Sequence, residues 1–284
     1  MRGVLSRSTL DAALNEAQRF NYFPASPLCS ISWWFAGDSE ILPFSTCPTL
    51  DGPRAQVPAR ICFHGPSTQP TLSWNTGPGH GMMLLLLPDA LHRLTGVASM
   101  DHVDRFVSIH DVFPAPWIAM CESLMALPDD DARVACVQDF LEPRWQAARP
   151  SLPMHLHRYQ DWAQSLALRA ATSAPGRSLR QVERRIKQWA GLPMRELRGF
   201  GRAEQAFFRG LAEGADGDKP HWAELAESSG YADQSHLCRE TRRITGFSPE
   251  TLRHGLIHEE AFWIYRAWAQ LAGYEVPTPA ALAD

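Results

Sequence analysis

The strongest constraint in this sequence is a change of hydrophobic period at Pro88. Between residues 28 and 87 apolar residues come in short runs, LCSISWWF, ARICFHG, TLSWN and GMMLLLL, separated by Pro- and Gly-rich pieces such as NTGPGHG. That is the pattern of short strands punctuated by turns. From Pro88 the segments lengthen, and PDALHRLTG, APWIAMCESLMAL and DDDARVACVQDFLEPRWQ read as helices, the last opened by Asp129 to Asp131 as an acidic N-terminal cap. Two prolines in ARPSLPM, residues 148–154, interrupt the helical pattern. Beyond them everything reads helical to about Gly273, with EVPTPAALAD as a loose tail. Residues 1–20 read as a short amphipathic or frayed helix. The patterns predict an α+β N-terminal domain over 1–150, a small β-sheet or partial barrel plus helices, followed by an all-α domain over 151–284.

With 284 residues, 45% hydrophobic and 20% charged, the chain has the composition of an ordinary globular protein long enough for two cores. Its net charge of −4 excludes a general polyanion binder, but the charge is unevenly spread. Residues 1–150 hold 10 basic and 15 acidic groups, and residues 151–284 hold 17 and 16. Within 177–202 eight basic residues face two acidic ones, a window able to meet phosphate. The six cysteines form no C-x-x-C pair, which fits reduced thiols in a cytoplasm. The longest apolar run, MMLLLL at 82–87, is far short of the roughly 20 residues that cross a bilayer. Neither a secretion signal nor a membrane span is expected.

The helical half contains two helix, glycine turn, helix units. In HWAELAESSGYADQSHLCRETRRITG, Trp222, Leu225, Ala226 and Ser229 share one helical face, and Gly230 suits a left-handed C-cap. Asp233 then caps a second helix whose inner side carries Leu237, Thr241 and Ile244 and whose outer side carries Gln234, Ser235, His236, Arg239 and Arg242. The earlier unit has DWAQSLALRAATS as its leading helix, APG as its turn, and RSLRQVERRIKQWAG as its second helix. Leu179, Val182, Ile186 and Trp189 make an apolar stripe there, with Arg177, Arg180, Glu183, Arg184 and Lys187 away from it. LPMRELRGFGRAEQAFFRGLAEG joins the units as a helix of roughly 30 Å at about 1.5 Å per residue. Two recognition helices about 34 Å apart would enter successive major grooves on one side of a duplex.

The order Gly230-Tyr231, Gln234-Ser235, Leu237, Arg239, Thr245-Gly246, Ser248-Pro249 resembles the second helix-turn-helix of the AraC/XylS family of bacterial transcription regulators. SLRQVERRIKQWAGLPMRELRGFGRAEQAF is similar to the family's first unit, so the resemblance spans about 155–265. LLLLPDALHRLTGVASMDHVDRFVSIHDVF resembles the sensing or dimerising domain of a poorly characterised subgroup. The resemblance implies a sequence-specific regulator that binds double-stranded DNA without chemistry or cofactor. Its further partners would be RNA polymerase, a small-molecule effector and a second copy of the chain. The implied DNA-facing set is Arg177, Ser178, Arg180, Gln181, Arg184, Lys187, Gln234, Ser235, His236, Arg239, Arg242 and Arg243. Arg184 and Arg239 are assigned base-edge or phosphate contact. Arg242 and Arg243 either grip phosphates or solvate the helix, and His236 either reads a base or is a plain surface residue. Three departures stand out: Thr241 replaces a buried aromatic, which removes roughly 2 kcal/mol of apolar burial, Val182 and Ile186 replace bulkier residues, and Glu183 sets a carboxylate on the DNA side.

Two other classes of function compete. One is an enzyme or thiol sensor working through Cys29, Cys47 or Cys62 with His64, although no base or oxyanion hole is fixed by the sequence. The other is a degenerate family member that binds protein. His254 and His258 with Glu259 seat at most half a metal site, and no H-E-x-x-H order occurs. Trp33, Trp34 and Trp74 either line an effector pocket or are core aromatics, and strand alternation sends Trp33 and Trp34 to opposite faces.

Overall fold

The computed structural model describes residues 3–149, 158–173, 178–213, 220–274 and 276. Its strands are β1 (Gly3–Ser8), β2 (Phe20–Phe23), β3 (Cys29–Ala36), β4 (Ser39–Leu42), β5 (Ala55–Gln56), β6 (Ile61–His64), β7 (Thr71–Asn75), β8 (His80–Leu86) and β9 (Phe106–Ser108). They form two antiparallel sheets, one in the order β1-β8-β3-β6-β9 and one in the order β2-β7-β4-β5. Three helices complete this half: α1 (Pro88–Thr95), α2 (Ala115–Ser123) and α3 (Asp130–Ala148). The second half is all-helical, with α4 (Tyr159–Thr172), α5 (Leu179–Ala190), α6 (Met194–Glu213), α7 (Trp222–Ser228), α8 (Gln234–Thr245), α9 (Pro249–His258) and α10 (Trp263–Leu271). An α+β half followed by an all-α half is therefore the architecture. None of the helices among the described residues is long and apolar enough to cross a membrane.

One expectation is overturned at the N-terminus. Residues 3–8 are a strand rather than a helix, paired along their whole length with β8 from Gly3↔Leu85 to Ser8↔His80. The partner lies more than seventy residues away, so no local period could announce the ladder.

Alternation in β3 sorts its side chains between two layers. Cys29, Ile31 and Trp33 enter a core with Phe63, Leu84, Trp117 and Val137, between the five-stranded sheet and α1 to α3. Ser30, Ser32 and Trp34 therefore face the other way, toward the second sheet. Asp129 caps α3 as the sequence predicts, its carboxylate accepting from the Ala132 N–H at 2.8 Å.

The remaining large cores are shared between the halves. Ala25, Leu28, Leu87 and Ala90 pack with Trp162, Leu166, Ile186 and Phe200, while Tyr22, Leu42 and Leu72 pack with Phe247, Leu252, Phe262 and Tyr265. Buried polar pairs cross the same seam. Asp89 on α1 accepts from Trp162 Nε1 at 2.9 Å and from Arg169 Nη2 at 2.6 Å, both on α4. Arg7 on β1 donates to Glu260 at 2.6 Å, and Arg266 on α10 donates to the other oxygen of that carboxylate at 2.8 Å. Burial lowers the pKa of both guanidiniums, opposed by Glu260.

A further close contact across the seam lies at the end of α8. The Ala25 N–H donates to the Ile244 carbonyl at 2.7 Å, and Gly246 caps the helix at φ +82°. A Cβ at Gly246 would sit 2.0 Å from the Phe44 ring. The left-handed backbone and the missing side chain are both required here. Gly246→Ala is predicted to lower stability by about 2–4 kcal/mol, read as a shift in the urea midpoint. A loss below about 0.5 kcal/mol would show that Phe44 does not seat on this turn.

Candidate functional site

The helices of both units form as their capping signals direct, while the APG turn between α4 and α5 lies outside the described residues. Gly230 takes φ +75° after α7, and Asp233 caps α8 by accepting from the His236 N–H at 2.6 Å. Leu237 and Ile244 are buried beneath α8, while Gln234, Ser235, Arg239 and Arg242 are exposed and His236 is half-buried against Tyr231. Ser178 caps α5, its hydroxyl accepting from the Gln181 N–H at 3.4 Å. Gly191 ends that helix at φ +75°. Ile186 is buried, and Val182 and Trp189 pack partly against the same core. Arg180, Glu183, Arg184 and Lys187 are exposed and Gln181 is half-buried. The joining helix α6 has 20 residues, about 30 Å at ~1.5 Å each.

Several predicted residues are placed differently. Leu179, assigned to the apolar stripe of α5, is 84% exposed, because it heads the helix and the packed stripe begins one turn later at Val182. Arg243 braces helices instead of standing free: it pairs with Glu196 of α6 at 3.1 Å and Glu240 at 3.2 Å, over the Phe200 ring. Arg177 lies outside the described residues. By contrast, Arg180, Arg184, Lys187, Arg239 and Arg242 make no ion pair among the described residues. Beneath α8 a cavity of about 80 Å³ is bordered by Thr241, Leu237, Leu225 and Tyr265. The Thr241 hydroxyl donates to the Leu237 carbonyl at 2.9 Å.

A larger cavity, about 650 Å³, lies behind the helical units, between the two sheets and under α10. Trp34 faces it, edge-on to Phe106 with ring centroids 6.0 Å apart. Trp33 borders it but is 1% exposed, its indole N–H donating to the Cys121 carbonyl at 3.0 Å in the core behind the sheet. Trp74 is not among the lining residues. Its indole N–H donates to the Glu16 carbonyl at 3.3 Å, and its ring packs on Phe20. The reason is register: Trp74 pairs with Phe20 on β2, and both turn from the cavity into the core that holds Leu72 and Phe262. Of the three tryptophans, only Trp34 thus presents its ring to the cavity.

Sequence reasoning missed most of the cavity wall. Arg7, Ser30, Ser32, and His64 as a wall residue rather than a partner for a thiol, all went unassigned. The small-polar, large-apolar alternation of CSISWW could have marked Ser30 and Ser32. His64 stands directly across the ladder from Ser30. Burial lowers its pKa to about 4, opposed by Asp104. The thiols are driven the other way, Cys62 to about 11 and Cys29 to about 12, both by burial. Cys62 also donates its S–H to the Ala59 carbonyl at 3.1 Å. Protonated buried thiols are poor nucleophiles. His254 and His258 lie with ring centroids 4.7 Å apart on α9, yet among the described residues no group of three or more His, Cys, Asp or Glu could hold a metal ion.

No family model and no curated protein matches the chain. Solved structures of ToxT from Vibrio cholerae are similar to it in chain path. A 1.65 Å form aligns at 10% identity over 88% of this chain and 96% of that one, with a TM-score of 0.38. A second ToxT structure aligns at 11% identity over 87% and 94%, TM-score 0.36. A third, of ToxT bound to an unsaturated fatty acid, aligns at 11% identity over 87% and 92%, TM-score 0.36.

The state of His64 has a measurable consequence. Folding holds its imidazole neutral, so between about pH 6.5 and 4 the unfolded chain binds the extra proton. Its contribution is complete above pH 6.5 and is lost as pH falls toward 4. Wild-type stability should therefore drop by about 1–2 kcal/mol more than that of His64→Gln between pH 7 and pH 5, measured by urea unfolding. Parallel pH profiles for the two proteins would contradict the burial of this ring.

Proposed function

We propose that the chain is a sequence-specific transcription regulator of the AraC/XylS type, acting on double-stranded DNA in the cytoplasm. The observation that carries this reading is a division of labour on α5 and α8. Each helix is pinned by its apolar side and presents, on the other side, Arg180, Arg184, Lys187, Arg239 and Arg242, which make no ion pair among the described residues, beside hydrogen-bonding groups. Exposed cations on a packed helix are what phosphate neutralisation and groove reading need.

In this mechanism Arg180, Arg184, Lys187, Arg239 and Arg242 displace counterions from the duplex. Gln234, Ser235 and Arg239 on α8, with Ser178, Gln181 and Arg184 at the start of α5, meet base edges in successive major grooves. Arg243 holds α8 against α6 and contributes through position rather than contact. Glu183 sits among the α5 cations and would accept from a cytosine amino group. RNA polymerase and a second copy of the chain are the protein partners that fit a regulator.

The β-rich half modulates this activity. Pro24 and Ala25 border both the large cavity and the small one under α8, and the Ala25 N–H holds the Ile244 carbonyl. A molecule filling the large cavity would press on the segment that positions the end of α8. The burial of Cys29 and Cys62 weighs against these two thiols in the competing reading as a thiol sensor, whereas Cys47 is exposed.

Arg239→Ala tests the reading. In gel shifts with the chain's own upstream DNA the substitution should cost about 1–3 kcal/mol and relax preference at one base pair. Affinity unchanged across every single-base variant of the site would remove Arg239 from the interface.

A further inference from the structure

The charges around the large cavity are all engaged. Arg7 gives its guanidinium to Glu260 at 2.6 Å and to Asn21 at 2.7 Å. His80 meets Asp130 at 3.0 Å, Asp38 pairs with Arg60 at 3.3 Å, and Asp104 accepts from the Thr68 N–H at 2.6 Å and hydroxyl at 2.7 Å. Among the described residues no lysine lines the cavity, and no arginine other than Arg7. An anion entering here would have to share a cation already bound by a buried carboxylate. An ammonium would find acids that are already satisfied. Either ion would lose its hydration without recovering a partner.

Three polar groups on the wall remain uncommitted. Ser30 and Ser32 point off β3 on the face opposite Ile31 and Trp33, and His64 stands across the ladder from Ser30. None of the three makes a side-chain hydrogen bond to another described residue. A neutral imidazole offers one donor and one acceptor, and each hydroxyl can act as either. Around them Trp34, Phe106, Leu5, Met83 and Leu85 supply apolar surface, and Trp268 and Leu271 of α10 close the far side. A space of about 650 Å³ with a few convergent polar groups on an apolar wall is of ligand-site dimensions.

We propose that this cavity binds an uncharged amphipathic small molecule, with an apolar body against Trp34 and Phe106 and a hydroxyl or carbonyl group bonded to Ser30, Ser32 and His64. The proposal rests on the reading of the β-rich half as effector-responsive and adds the chemical class of the effector. Selection works by exclusion: the wall rewards one or two neutral hydrogen bonds and leaves any formal charge unpaired. The occupant touches both sheets and α10, so it would also bear on the Arg7, Glu260 and Arg266 network that joins them.

The test is calorimetric titration of the full-length chain with two matched series, indole-3-ethanol, indole-3-acetate and tryptamine, and decan-1-ol, decanoate and decylammonium. The neutral member of at least one series should bind at least tenfold more tightly than its anion and its cation. Ser32→Phe, which fills the cavity, and His64→Leu, which removes one donor and one acceptor, should each weaken that binding at least tenfold. Melting curves confirm that the variants fold, and His64→Leu decides the matter if Ser32→Phe does not. A charged member binding as tightly as its neutral partner, no binding by either alcohol, or binding that survives the substitution would overturn the proposal. A tight charged ligand alongside an intact DNA shift refutes the ligand class alone. Absence of any binding, with no compound altering the shift, refutes the effector reading as well.

Discussion

The seating of the end of α8 on the β-rich half is the contact on which the rest of this molecule depends. The last carbonyls of a helix lack intrahelical donors. Here the Ile244 carbonyl receives one from Ala25, a residue more than two hundred positions earlier in the chain. Gly246 turns the chain away in a conformation that a side chain would resist, and Phe44 occupies the space a side chain would need. Tyr22 and Phe44 then pack edge to face against Phe247, and Phe262 lies tilted beside it. The end of α8 is thereby held from behind.

The same seam surrounds the large cavity. The β1 end of the Arg7, Glu260 and Arg266 network lies on the cavity wall, and its other end supports the start of α10. Removing one partner from such a buried set would leave an uncompensated charge, a loss of about 3–5 kcal/mol. The halves are therefore coupled through buried charge as well as through apolar cores. The large cavity is bounded by both halves.

How much of this was legible depended on whether the deciding interaction was local. Helix boundaries were legible where their signals lie within four residues: Asp129 and Asp233 cap as written and Gly230 terminates as written, and the same local chemistry operates at Ser248, Gly191 and Gly246. The outward faces of α5 and α8 were legible from period alone. The strand at 3–8 was not, because its identity comes from a ladder with β8. Leu179 misled because a stripe drawn by period does not say where along a helix the packing begins. Trp74 misled because strand period says which residues share a face but not which face meets the cavity. Arg243 was not separable from Arg239 and Arg242 by spacing, since only the approach of α6 brings Glu196 to it. The cavity wall was the least legible part. Its residues come from eight strands, and only their assembly shows that Arg7 is occupied while Ser30, Ser32 and His64 make no side-chain hydrogen bond among the described residues.

The central claim is that α5 and α8 project side by side from one body and enter neighbouring major grooves. Methylation interference on the chain's own upstream DNA tests it most directly, since a methyl on guanine N7 blocks a major-groove contact. The account predicts two clusters of interfering guanines on one face of the duplex, about one helical turn apart. A single cluster, or two on opposite faces, would contradict it.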